Sequence, residues 1–173
     1  MLMLDLFAGL GGASAAMKAR GWEVVTVDND PRFGCTHTAD LLTWSWDGPR
    51  PDLVWASPPC TEFSRETMPW CRTGKTPSLE LATAAKRIIG ECDPDWWVVE
   101  NVRGAVKYLD PLFGPFRQSH GPFFLWGRFP PFRCRVGAFK ERLSSTRRAE
   151  RAKVPYRLSE GLAAACMRRT LFT

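Results

Sequence analysis

The residues able to do chemistry in this chain stand at the ends of its apolar runs. Asp5 and a loop containing Gly9, Gly11 and Gly12 end the run Leu2–Phe7, and Asp28 follows the valine-rich Glu23–Val27. Asp40 follows a weak strand near Thr36–Thr38. Cys60 follows Asp52–Ala56 through Ser57-Pro58-Pro59, and Glu100 and Asn101 follow Trp96–Val99. A glycine loop lets backbone approach a ligand closely, and the helix after it offers free amides. A carboxylate at the tip of the next strand can accept both hydroxyls of a ribose. Loop and acid together point to an adenosine-containing cofactor. The loop lacks the glycine spacing that cradles a pyrophosphate, and no Walker lysine follows it.

Two prolines stiffen the approach to Cys60 and would hold its thiol at the sheet edge, as a nucleophile requires. No histidine is near in sequence to serve as its base. Glu100 emerges from an apolar strand, where a carboxyl is partly desolvated and able to share a proton. Each feature has an ordinary counterpart: a tight turn, a cap, a buried inert thiol, a strand-end acid. Inertness is the expectation for Cys35, Cys71, Cys92, Cys134 and Cys166. Five polar placements at strand ends weigh more than any one of them, because ligands of open α/β sheets bind at that edge.

The elements that must position these residues read as an α/β fold with a mostly parallel sheet flanked by helices. Strands are expected over Leu2–Phe7, Glu23–Val27, Asp52–Ala56, Trp96–Val99 and Phe123–Trp126. A helix over Ala13–Arg20 should end at Gly21. A second helix should start at Thr76-Pro77-Ser78 and bury Leu81, Ala85, Ile88, Ile89 and Cys92 before Pro94. Thr61–Lys75 reads as a loop, residues 128–153 as irregular, and Tyr156–Met167 as a closing helix.

The 173 residues suit one domain with a sizeable core. No apolar run is long enough for a membrane span, and the acid at position 5 argues against a signal peptide. The absence of Cys-x-x-Cys spacing and the presence of only two histidines argue against zinc. Reduced thiols and a cytoplasmic setting, in a bacterial cell or a phage-infected host, are the expectation. The net charge of +6 is uneven: residues 1–127 carry −3 and residues 128–173 carry +9. A basic last quarter suits a polyanion such as nucleic acid, or a solubilising tail.

Three motifs, taken together, resemble the DNA (cytosine-5)-methyltransferases. They are Asp5-Leu6-Phe7-Ala8-Gly9-Leu10-Gly11-Gly12, Ser57-Pro58-Pro59-Cys60-Thr61-Glu62-Phe63-Ser64 and Glu100-Asn101-Val102. The second departs from the usual pattern in having Thr61 for glutamine. The resemblance implies a Rossmann-like fold that binds S-adenosylmethionine and releases S-adenosylhomocysteine. It makes Cys60 the nucleophile toward carbon 6 of cytosine, Glu100 the acid on the ring nitrogen, and Asn101 the residue that positions the nucleophile loop. The cofactor would lie against Phe7, Ala8, Gly9, Leu10, Gly11, Gly12, Asp28, Asn29, Asp40, Leu41 and Pro59, with Leu81 at its margin. Asp28 would hold the ribose and Asp40 the adenine amine. DNA is the implied partner, with its target base out of the stack. Neither a membrane nor a metal is expected.

The second half departs from the family pattern. Its Gln-x-Arg-x-Arg stretch aligns with Gln118-Ser119-His120-Gly121-Pro122, so both arginines are missing and His120 takes the first place. Its Gly-Asn-x-Val-Pro segment aligns with Arg151-Ala152-Lys153-Val154-Pro155, which keeps only Val154 and Pro155. Gly127 and Arg151 enclose 23 residues, too few for the usual target-recognition domain. That stretch includes Lys140, Arg142, Arg147 and Arg148 among serines, a composition suited to phosphate contacts that position without specifying. The chain therefore reads as a minimal catalytic domain: core 1–127, basic segment 128–153, closing helix 154–173. Weak, salt-dependent DNA binding is expected, with a separate subunit as a possible source of specificity. Two alternatives stay open: a non-catalytic nucleic-acid-binding protein, and the same chemistry on RNA cytosine.

Overall fold

A computed structural model describes residues 1–66, 76–135 and 153–170. The strands are β1 (Leu2–Leu6), β2 (Glu23–Asp28), β3 (His37–Thr38), β4 (Leu53–Ala56), β5 (Trp96–Asn101), β6 (Gln118–His120) and β7 (Phe123–Arg128). The helices are α1 (Ala15–Ala19), α2 (Thr61–Glu66), α3 (Glu80–Cys92), α4 (Val106–Phe113) and α5 (Tyr156–Thr170). The strands form one sheet in the order β3-β2-β1-β4-β5-β7-β6. β1 to β5 run parallel, and β7 lies antiparallel between β5 and β6. This is the mostly parallel, Rossmann-like α/β sheet flanked by helices that the sequence leads one to expect. Because the first five strands are parallel, all their carboxyl ends lie along one edge.

Side chains alternate across each strand, so the central strands feed two cores. Met3, Leu53, Trp55, Val98 and Leu125 face α1 and α5. Leu4, Leu6, Val54, Ala56, Val99 and Trp126 face α3 and α4. The same alternation puts Asp5 and Glu100 on the α1–α5 face and Asn101 on the other. Gly21 ends α1 as expected: at φ +77° it donates its N–H to the Lys18 carbonyl (3.0 Å), and Trp22 donates to Met17 (3.1 Å).

Three local expectations are corrected. Thr61–Glu66 is helical, whereas its sequence reads as loop. Six residues are too few to show a period, and tertiary contact holds them: Phe63 is buried and its ring lies 5.8 Å from that of Tyr108. Residues 67–75 lie outside the described residues, and so does Cys71. The helix expected from Thr76 starts instead at Glu80. Ser78 is tied off first, its amide donating to Glu62 Oε2 (2.8 Å) and its Oγ accepting from the Glu80 amide (3.3 Å). α3 also buries Ala82 and Ala84 and leaves Leu81 only partly buried. Finally, α4 and β6 form where no element was expected. Pro111 sits inside α4, and β6 is three residues long.

The last helix is fastened to the first. Ser159 is fully buried in α5; its Oγ donates to the Ala13 carbonyl (2.6 Å) and accepts from the Ala16 amide (3.1 Å). Replacing Ser159 by alanine strands both groups in an apolar interior, which costs roughly 1–3 kcal/mol. Urea unfolding of Ser159→Ala should show that loss with an unchanged m-value; an unaltered midpoint would contradict the contact.

Candidate active site

The carboxyl edge collects the predicted residues in strand order. The chain leaves β1 through Phe7, which takes a left-handed conformation (φ 59°), as do Gly9 (φ 50°) and Gly11 (φ 65°). A non-glycine residue held there costs energy and persists only where its surroundings require it. A Cβ added at Gly9 would meet only open space, so glycine is needed there for its backbone angle. At Gly12 the need is closeness: a Cβ would collide with the Val154 carbonyl and lie 2.8 Å from the Val154 nitrogen. The return of the chain at Val154 therefore packs directly on the loop.

Asp28 ends β2 with both oxygens occupied: Oδ2 accepts from the Gly9 amide (2.9 Å) and Oδ1 from the Asp30 amide (3.0 Å). These bonds tie the glycine loop to the tip of β2 and fix the carboxylate's orientation. Asn29 beside it is exposed. Asp40 opens a tight turn, its carbonyl accepting from Thr43 (3.1 Å) and Trp44 (2.9 Å), while Leu41 is buried beside it.

Asp5 is fully buried, and among the described residues its Oδ2 has no hydrogen-bond partner. Burial pushes its carboxyl up to about 6, although Ser14 and the Lys18 charge pull the other way. Its folded value thus exceeds the unfolded one, so its contribution to stability is complete below about pH 4 and lost as pH rises through 6. A shift of this size is worth up to about 3 kcal/mol. Asp5→Asn should flatten that part of the stability profile, read as urea midpoints from pH 4 to 8. Parallel profiles for the two proteins would refute it.

The loop that carries Cys60 leaves β4 with Ser57, whose Oγ accepts from Trp55 Nε1 (2.7 Å) and whose amide donates to the Leu6 carbonyl (3.2 Å). Pro58 is buried, Pro59 exposed and Cys60 half-buried. The Cys60 carbonyl accepts from the Ser64 amide (2.8 Å), which starts α2 at the cysteine. Glu100 is buried in β5, one step beyond the paired residues Ala56 and Val99. Asn101, buried on the opposite face, donates from Nδ2 to the Pro58 carbonyl (2.9 Å), while its Oδ1 accepts from Val102 (2.9 Å). One amide thus joins β5 to the loop that carries the thiol.

The family model of C-5 cytosine-specific DNA methylases matches residues 1–110. The chain belongs to that family. A curated member, the probable DNA (cytosine-5)-methyltransferase of frog virus 3 (isolate Goorha), is 34% identical over 117 residues. That match takes in 58% of this chain and 53% of the viral protein. Among solved structures, a prophage-encoded E. coli protein assigned as a DNA modification methyltransferase aligns with a TM-score of 0.50 at 19% identity. The alignment covers 74% of this chain and 46% of that one. The Entamoeba histolytica methyltransferase EhMeth aligns with a TM-score of 0.50 at 13% identity, covering 83% and 57%. At such identities these two establish the fold alone. The chain spans about half the length of the relatives it matches.

His120 stacks on Phe132 (ring centroids 4.8 Å apart, 22° between planes). Its Nε2 is buried without a partner among the described residues, and burial lowers its basicity. Gln118 clamps the same Phe132 backbone, donating from Nε2 (2.9 Å) and accepting at Oε1 (3.3 Å). Lys140, Arg142, Arg147 and Arg148 lie outside the described residues. Cys35, Cys60, Cys92, Cys134 and Cys166 are free thiols. Burial raises the thiols of Cys92, to about 11, and Cys166, to about 12, in keeping with inert roles. Among the described residues no cluster of ligating side chains could hold a metal, and no helix is long and apolar enough to cross a membrane. Sequence reasoning placed Asp5 at the sheet edge but gave it no role of its own, although a lone acid in Leu2-Met3-Leu4-Asp5-Leu6 is an available signal.

Proposed function

We propose that the chain is a DNA cytosine-5 methyltransferase working through a covalent cysteine adduct. The observation that carries this reading is the Asn101–Pro58 bond, because it couples the strand of Glu100 to the loop of Cys60. The donor set at the glycine loop fits S-adenosylmethionine. Asp28 is oriented by two amides for a ribose, and the orphaned Asp5 oxygen is a buried acceptor beside the loop. Phe7, Leu10, Asn29, Asp40, Leu41 and Pro59 complete the proposed pocket, with Leu81 at its margin. When bound, the cofactor supplies an electrophilic methyl group.

The chain's own part is to make carbon 5 of cytosine nucleophilic. The Cys60 sulfur bonds to carbon 6, and the electron pair of the 5,6 double bond is pushed toward carbon 5 and the ring. Glu100 donates a proton to the ring nitrogen, neutralising the charge that builds there. After methylation, loss of the carbon 5 proton lets the sulfur leave and restores the ring. Asn101 holds the nucleophile loop while these steps proceed. The basic segment containing Lys140, Arg142, Arg147 and Arg148 would bind phosphates, so affinity should fall steeply with salt and discriminate weakly among sequences. His120 would stand near the target base, and a separate subunit would supply further specificity.

The stacking of His120 where the family carries an arginine favours a second reading, a chain that binds without turnover. Tritiated methyl transfer onto duplex DNA, single-stranded DNA and transfer RNA separates the readings. Label recovered as 5-methylcytosine in DNA is expected. Label confined to RNA would change the substrate, and no label on any acceptor would favour the binding protein.

A further inference from the structure

We infer that Arg87 is a positioning residue for recognition of the cofactor's adenine amine; this rests on the reading of Asp40 proposed above. Arg87 lies on α3, away from the carboxyl edge in sequence, and no motif includes it. Its Nη2 donates to the Trp44 carbonyl (2.7 Å) and to the Leu41 carbonyl (3.2 Å). Its Nη1 reaches both oxygens of Glu91 (2.8 and 2.9 Å), one helical turn on. The planar guanidinium is therefore held by Glu91 on one side and grips the backbone after Asp40 on the other.

That backbone is the turn Asp40–Trp44. Asp40 closes it from within, its Oδ1 accepting from the Leu42 amide (3.0 Å) and its carbonyl from the Thr43 and Trp44 amides. Among the described residues the other carboxylate oxygen takes no hydrogen bond, so it is the atom available to an amine. Beyond Arg87 the turn is held by side-chain packing: Trp44 packs on the core and against the rings of His37 (5.9 Å) and Trp46 (6.2 Å). Leu41 is buried, but Leu42 is 45% exposed and β3, just before it, is only two residues long. Arg87 binds the second and last residues of the turn to a long helix. It does so through carbonyls, so the contact fixes where the backbone lies. Lysine, whose donors all sit on one compact nitrogen, cannot reproduce the spacing by which Nη1 holds Glu91 while Nη2 holds the two carbonyls.

The test compares binding of S-adenosylhomocysteine with that of its counterpart carrying hydrogen in place of the purine 6-amine. Titration calorimetry on wild type, Arg87→Lys and Arg87→Met gives the ratio of the two affinities. A carboxylate hydrogen bond to the amine should make the wild-type ratio about tenfold or more. In both variants the ratio should fall below about threefold, while the deaminated ligand binds nearly as before. Equal weakening of both ligands would mark Arg87 as merely structural and overturn the inference, as would an unchanged ratio. A wild type that binds both ligands without preference would instead remove the role given to Asp40. Arg87→Lys keeps the stem and the charge, so a poorly folded Arg87→Met does not leave the question open.

Discussion

Cys60→Ala should abolish transfer of methyl groups to cytosine, by at least about 10⁴-fold, while the protein stays folded and still binds S-adenosylhomocysteine. Removal of a covalent nucleophile leaves only positioning and electrostatic effects, and losses of this order follow in other nucleophilic enzymes. The fold should tolerate the change. Cys60 is half-buried, and its structural contribution is the carbonyl that accepts from Ser64, which alanine retains. Stability should therefore move by less than about 1 kcal/mol. Quantifying 5-methylcytosine by nucleoside mass spectrometry, beside a ligand titration, reads both halves. Wild-type methylation by Cys60→Ala would end the covalent mechanism. Loss of ligand binding along with activity would mean that the loop is disturbed rather than the chemistry.

Gly127→Ala should unfold or severely destabilise the protein. Gly127 takes φ +134°, outside the range of side-chain-bearing residues, and pairs with Val98 across the β5–β7 ladder. A Cβ there would collide with the Trp97 carbonyl oxygen and lie 2.9 Å from its carbon. Both partners are backbone in the middle of a sheet, so neither can swing aside. Angular strain and overlap together cost on the order of 4 kcal/mol or more. For a chain of this size that lowers Tm by about 10 °C or more. Far-UV circular dichroism melts of the soluble fraction measure it. A shift under about 3 °C would show that the two strands do not approach as closely as described.

The two glycines that matter most for packing look like any others in the sequence. Gly127 merely follows an aromatic run in the sequence, yet in the fold it lies against the Trp97 carbonyl of the neighbouring strand. Gly12 belongs to a recognisable loop, but Val154, the residue it must admit, is 142 positions away. The helix α2 was illegible for a similar reason. Phe63 organises it by packing on Tyr108, which belongs to a helix interrupted by Pro111 that the sequence reading did not expect either.

Local order determined a good deal. Apolar runs of strand length, each ending in a polar residue, were enough to place Asp5, Asp28, Asp40, Cys60 and Glu100 at one sheet edge, because parallel strands share their carboxyl ends. The motifs were enough to recognise the family, since they are contiguous in the chain. The three-dimensional arrangement decided what holds those residues still. The Asn101–Pro58 bond, the Ser159 link to α1 and the grip of Arg87 on the Asp40 turn join segments 43 to 146 positions apart. Such partners are chosen by how helices and strands pack, and packing depends on the whole core rather than on any window of sequence.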